Sequence, residues 1–125
     1  MNNMRNYILA IVIALTASSA FAVNTCDTLP TKAERTNCWS NLVGSYLQEA
    51  DEYNFAVQES KEVPAVVKQK VEAKRQAISA EANRVCKKGE LGYPDDACYI
   101  EQIQKFKDFT YQETYKFGVP DQRLN

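Results

Sequence analysis

The chain has 125 residues, 16 acidic and 15 basic, with four cysteines, no histidine and a formal net charge of −1. Such a length holds one modest core, and so even a charge balance argues against a dedicated nucleic-acid binder, which carries a strong basic excess. The absence of histidine removes Ser-His-Asp and Cys-His catalysis, histidine-ligated zinc and haem attachment through Cys-x-x-Cys-His.

The first element is not expected to belong to the fold. Met1 to Asn6 carries one positive charge, Arg5, and Tyr7 to Ala17 is an unbroken run of apolar or small residues, YILAIVIALTA. Ser18 and Ser19 follow, then Ala20-Phe21-Ala22, the small-x-small pattern that signal peptidase reads. The run is shorter than the ~20 apolar residues that span a bilayer. The reading is a cleaved signal at 1–22 and a single helical domain at 23–125, exported to the periplasm or the medium, without stable membrane insertion after cleavage. The first cysteine, Cys26, lies past the cut, so no lipid anchor is expected. With Arg5 gone, 14 basic residues face all 16 acidic ones, a net charge of −2.

Cys26, Cys38, Cys86 and Cys98 all fall in the exported part. An even number of cysteines in a small secreted domain reads as two disulfides. Three pairings are open; both sequential gaps are 12 residues, which makes Cys26–Cys38 and Cys86–Cys98 the economical choice. Zinc held by four thiolates calls for cysteines two to four residues apart, and no such knuckle exists. A redox role would want Cys-x-x-Cys, which is also missing.

Three helices follow. Thr31-Lys32-Ala33-Glu34 has the capping-box spacing. Trp39, Leu42, Val43, Tyr46, Ala50, Tyr53 and Val57 then recur in helical steps, giving a helix over about 31–58. Val63-Pro64 opens a second helix, because proline suits a first turn. Val67, Val71, Ile78, Ala82 and Val85 form its stripe, which Lys74 interrupts. It is expected to run over about 64–88, with Lys87 and Lys88 at its C-terminus and Gly89 as the stop. Gly89 to Pro94 reads as a turn, and Asp95 or Asp96 can cap a third helix over about 95–117. Its pattern is Tyr99, Ile100, Ile103, Phe106, Phe109 and Thr110, with Gly118 and Pro120 ending it. The fold class expected is all-α, a small antiparallel three-helix bundle stapled by two disulfides.

No phosphate loop, nucleophile elbow or metal motif is present, so no catalytic residue, cofactor or metal is assigned. The carboxylate pairs Asp51/Glu52 and Asp95/Asp96 have ordinary roles as solvated residues and as a helix start. One feature exceeds the needs of a core. Phe106, Phe109, Tyr111, Tyr115 and Phe117 point in too many directions for one buried stripe. Most are expected to pack inward; the sharper reading is a partner-binding patch of Tyr111, Tyr115 and Phe117 with Glu113, rimmed also by Glu101 and Asp108.

The stretch CDTLPTKAERTNC resembles the opening of the domain family named for the lysozyme inhibitor LprI. Cys26, Thr31, Ala33, Glu34, Asn37 and Cys38 stand at matching offsets, followed by Leu42, Tyr46 and Tyr53 as an apolar ridge. The second half is similar in outline, a charged helix ending at Cys86, a short loop, Cys98 and a last helix. The chain departs from the family at Ile78, Ala82 and Asn83, where a tryptophan and an Arg-Asp pair are usual, and at Phe106 or Lys107, near an expected arginine. The resemblance implies an exported, non-enzymatic, helical protein whose partner is a lysozyme or another envelope protein. Two further expectations are a structural or chaperone-like envelope protein and a secreted effector or toxin-neutralising protein.

Overall fold

A computed structural model describes residues 25–124; the expected signal at 1–22 lies outside the described residues. The chain divides into two compact units, Met1–Trp39 and Ser40–Asn125. The described elements are a 3-10 turn (Thr25–Thr28), then helices α1 (Lys32–Glu59), α2 (Ala65–Gln76), α3 (Ile78–Val85) and α4 (Asp96–Thr114), and a 3-10 turn (Tyr115–Phe117). The protein is all-α and small, and both economical cysteine pairs are disulfides. Among the described residues no helix is long and apolar enough to cross a membrane. The two cystines point to an oxidising, extracytoplasmic environment.

In the first unit, Cys26–Cys38 joins the 3-10 turn to the first turns of α1, with Cα atoms 5.4 Å apart. The Thr31 hydroxyl accepts the Glu34 amide at 3.1 Å, the N-cap that the sequence announces. Arg35 donates to the Leu29 carbonyl at 2.8 Å, and the Trp39 indole N–H donates to Asp27 at 2.8 Å. The segment 25–29 is thus tied to α1 by one covalent bond and two side-chain hydrogen bonds.

The second unit holds the core. Ala50, Tyr53 and Val57 of α1 pack with Val63, Val71, Ile78, Ile103, Phe106 and Val119, all buried. Steps of three and four along α1 and α4 put these side chains on one face, so burying that face drives the packing. Polar pairs flank the α1–α2 seam. Gln58 donates to the Lys68 carbonyl at 2.9 Å, while the Lys68 ammonium donates back to the Gln58 carbonyl at 2.8 Å. Asn54 donates to Glu72, and Arg75 meets Asp51 at 2.7 Å. Asp51, expected to be simply solvated, is therefore paired, but at 61% exposure the pair adds little.

The second predicted helix differs from expectation in three ways. It is broken at Ala77 into α2 and α3, although no glycine or proline lies between Ala65 and Val85. The buried stripe nonetheless runs on through the break, since Val71 on one side and Ile78 and Ala82 on the other are all buried at helical spacing. Val85, assigned to the buried stripe, is 44% exposed. The helix also stops at Cys86 rather than near Lys88, because the Lys87 carbonyl is taken by the Asp95 amide at 2.8 Å and Lys88 forms an antiparallel bridge with Pro94. Gly89 is thus part of the loop and not the helix stop. Lys74, which interrupts the stripe, is accounted for: its ammonium lies 5.4 Å above the Phe109 ring.

Candidate protein-binding surface

The two ends of α4 carry the features that the core does not explain. At the N-terminal end, Cys86 and Cys98 are bonded, with Cα atoms 5.7 Å apart, and close a loop between α3 and α4. Inside it the Gly89 amide donates to the Tyr93 carbonyl at 2.8 Å, and the Gly92 amide returns to the Gly89 carbonyl at 3.0 Å. Gly92 has φ of 80°, a left-handed conformation that a glycine after a tight turn adopts without strain. Asp95 accepts the Cys98 amide at 3.0 Å and so caps α4. Beside it, burial and then the Asp95 charge push the Asp96 carboxyl above the usual aspartate value. The Lys88 ammonium reaches back to Asn83 at 2.9 Å.

This tied loop holds out two large side chains. Leu91 is 84% exposed and Tyr93 73% exposed. Single exposed apolar residues are ordinary, but here two stand two residues apart on a backbone fixed by a disulfide and by the Gly89–Tyr93, Gly92–Gly89 and Asp95–Lys87 hydrogen bonds. Sequence reasoning saw Gly89 to Pro94 only as a turn and missed them. The signal was present, since leucine and tyrosine are uncommon choices in a turn of glycine and proline that has no core to fill.

The C-terminal end of α4 gathers part of the aromatic patch foreseen in the sequence. Tyr111 and Tyr115 stack with centroids 5.6 Å apart and an interplanar angle of 28°. The Arg123 guanidinium lies 3.6 Å above the Tyr111 ring and is held by both Asp121 oxygens, with the shortest contact at 2.7 Å. That ion pair keeps the Asp121 carboxyl below its usual range and raises the Arg123 guanidinium further. Tyr111 is half-buried and Tyr115 is 56% exposed.

The remaining aromatic and acidic candidates sit elsewhere. Phe106 is fully buried, and Phe109 and Phe117 pack against the core, with the Lys116 ammonium 5.4 Å above the Phe117 ring. Phe117 therefore serves the core more than an open patch. Glu113 follows Tyr111 by two residues, about 200° around the helix. It shares a flank with Phe109, four residues earlier, and does not join the tyrosines. Glu101 and Asp108 do lie on the tyrosine side, by spacings of three, four and seven.

Buried polar groups that were not foreseen include Lys107 and the Tyr53 hydroxyl. Lys107 is fully buried, with its ammonium 2.7 Å from Glu49 and 5.8 Å from the centre of the Tyr46 ring. The Tyr53 hydroxyl is buried without a hydrogen bond of regular geometry, although Thr114 and the Gln122 backbone stand beside it. Burial pushes its ionisation above the ordinary tyrosine value, and the neighbouring Gln122 backbone and Thr114 only partly oppose this. Among the described residues no cluster of histidine, cysteine, aspartate or glutamate could hold a metal ion. Compared with protein-family models, curated proteins and solved structures, the chain matches none.

Proposed function

We propose that this is an exported, non-enzymatic binding protein that occludes the surface of a protein partner in the periplasm or the medium. The carrying observation is the loop closed by Cys86–Cys98, with Leu91 and Tyr93 exposed on a hydrogen-bonded backbone. Few side chains dominate most interfaces, and anchors held in their bound conformation lose little entropy on docking. Leucine fills an apolar slot, and tyrosine adds contact area with a hydroxyl that hydrogen-bonds at the slot's base. The expected signal at 1–22 supports export, and the two cystines are consistent with it.

The resemblance of the Cys26–Cys38 motif to LprI-type domains makes lysozyme the first partner to test. Purified residues 23–125, with both disulfides intact, should slow lysozyme turnover of cell walls at micromolar concentration. Replacing Leu91 and Tyr93 together by alanine should weaken the complex by about 2 kcal/mol or more. Folded stability should change by less than about 0.5 kcal/mol for either residue, since both are exposed. Full turnover with no complex detected at tens of micromolar would reject lysozyme as the partner.

A further inference from the structure

Beyond α4 the chain is held with little help from its backbone. After the 3-10 turn Tyr115–Phe117, Gly118 takes a left-handed φ of 81°. Its amide donates to the Tyr115 carbonyl at 3.4 Å, the last backbone–backbone hydrogen bond along the described residues. From Val119 to Leu124 only Val119 is buried. Asp121 and Arg123 pair with each other inside the segment. Its polar grip on the helices is the Arg123 guanidinium stacked on Tyr111, helped by the attraction of Lys107 for Asp121 and of Asp108 for Arg123.

The same segment lies against the unsatisfied group of the core. Tyr53 is fully buried, its hydroxyl makes no regular hydrogen bond, and Asp121, the Gln122 backbone and Arg123 all act on it. Thr114, beside it, gives its own proton to the Thr110 carbonyl at 2.6 Å. Burying one valine and stacking one guanidinium are gains of the same order as the cost of one unsatisfied buried hydroxyl. Closure of the segment is therefore finely balanced. The helices are joined by Ala50, Val57, Val71, Ile78, Ile103 and Phe106, none of which belongs to it.

We propose that Val119–Leu124 is a strap that opens as one unit about Gly118 while the helices stay folded, uncovering the Tyr53 hydroxyl and the core surface beneath Val119. Gly118 absorbs the backbone change, since glycine crosses between left- and right-handed conformations without a steric penalty. Opening gives up the Val119 burial and the Arg123 stack, and in return lets solvent satisfy Tyr53. The open form thus offers a hydrogen-bond donor beside an apolar surface that the closed form hides. The device is separate from the Leu91–Tyr93 loop and does not depend on what that loop binds.

The test reads opening at two places in residues 23–125, with circular dichroism confirming that the helices stay folded. Trypsin in native buffer should cut the wild type after Arg123, seen by mass spectrometry as loss of the last two residues. In Val119→Cys, the introduced thiol should be labelled by an excess of thiol reagent. Both rates should exceed what global unfolding allows by at least about tenfold, and should change little in low urea because little surface is exposed. Tyr53→Phe should slow both about fivefold, since opening no longer satisfies a hydroxyl. Tyr111→Ala should speed both about threefold through loss of the stack. The Leu91/Tyr93 double alanine variant should leave both unchanged. Rates that follow global unfolding across urea, or equal rates in the wild type and Tyr53→Phe, overturn the proposal. If Val119→Cys does not fold, cleavage of the wild type and Tyr53→Phe decides alone.

Discussion

The two ends of α4 solve one problem by different means. Each must turn the chain sharply, and each does so with a left-handed glycine, Gly92 at φ 80° and Gly118 at φ 81°. Each leaves a tyrosine in water, Tyr93 at one end and Tyr115 at the other. The N-terminal end is closed covalently by Cys86–Cys98, and its apolar side chains, Leu91 and Tyr93, contribute nothing to the core. The C-terminal end has no covalent tie. Val119 is buried beneath it, and the Asp121–Arg123 pair lies on Tyr111. A covalent tie lets the large loop side chains, Leu91 and Tyr93, face outward; a tail held by side chains must spend some of them on holding itself.

Removing the tie should therefore have the largest effect. With Cys86 and Cys98 both changed to serine, the chain-entropy model predicts a loss of about 3 kcal/mol, measurable by denaturant unfolding. Affinity for a partner that reads Leu91 and Tyr93 should fall as well, because their backbone is no longer fixed. A loss of stability with unchanged affinity would show that the hydrogen bonds alone hold the loop.

The glycines come next. A Cβ built at Gly92 or Gly118 would meet nothing within 4 Å, so only the backbone conformation resists a side chain. Alanine at either position should cost about 1–2 kcal/mol. Similar losses would show that both turns depend on the same conformational freedom; a much smaller loss at Gly118 would mean that the tail relaxes where the tied loop cannot.

How far the sequence reveals this molecule depends on which physical signal each part carries. The helices were legible because apolar spacing and the caps at Thr31 and Asp95 act locally. The disulfide pairs were legible from two equal gaps, though the other pairings stayed open until the structure closed them. The break at Ala77 was not legible, since no proline or glycine marks it and the apolar spacing runs through it unchanged. Lys107 was equally hidden: a lysine is expected in water, and its burial is tied to partners far off in sequence, such as Glu49, 58 residues away. Of the candidate site, spacing alone could have joined Tyr111 to Tyr115 and excluded Glu113. Leu91 and Tyr93 were overlooked because turn chemistry describes the backbone and not what the turn displays.

A smaller effect is expected beneath the C-terminal tail. Replacing Tyr53 by phenylalanine removes a buried hydroxyl that makes no regular hydrogen bond, and should stabilise the fold by about 1 kcal/mol. The same variant tests pH dependence. Burial raises the Tyr53 ionisation above the ordinary value of 10.0, so the unfolded chain releases this proton first as pH rises. The resulting stability is complete below that value and is lost as pH climbs through the higher folded one. Unfolding midpoints should thus fall above about pH 10 in the wild type and fall less steeply in Tyr53→Phe.

The smallest effect concerns the clamp itself. The side chains of Asp121 and Arg123 are 39% and 34% exposed, a pair screened by water, so Arg123→Ala should barely move the global midpoint. Its consequence should be local: faster amide hydrogen exchange from Val119 to Arg123, with the loop at Gly89 to Asp95 unaffected. The Asp121 carboxyl is held below its ordinary value of 3.8, so the clamp is fully formed above that value and is lost as pH falls through the lower folded one. Tail protection in the wild type should therefore drop in acid, while in Arg123→Ala it starts low and shows no such step. If exchange in the tail is slow and indifferent to both changes, Val119 alone holds it. The two ends of α4 would then differ in covalent chemistry but not in how firmly they are fixed.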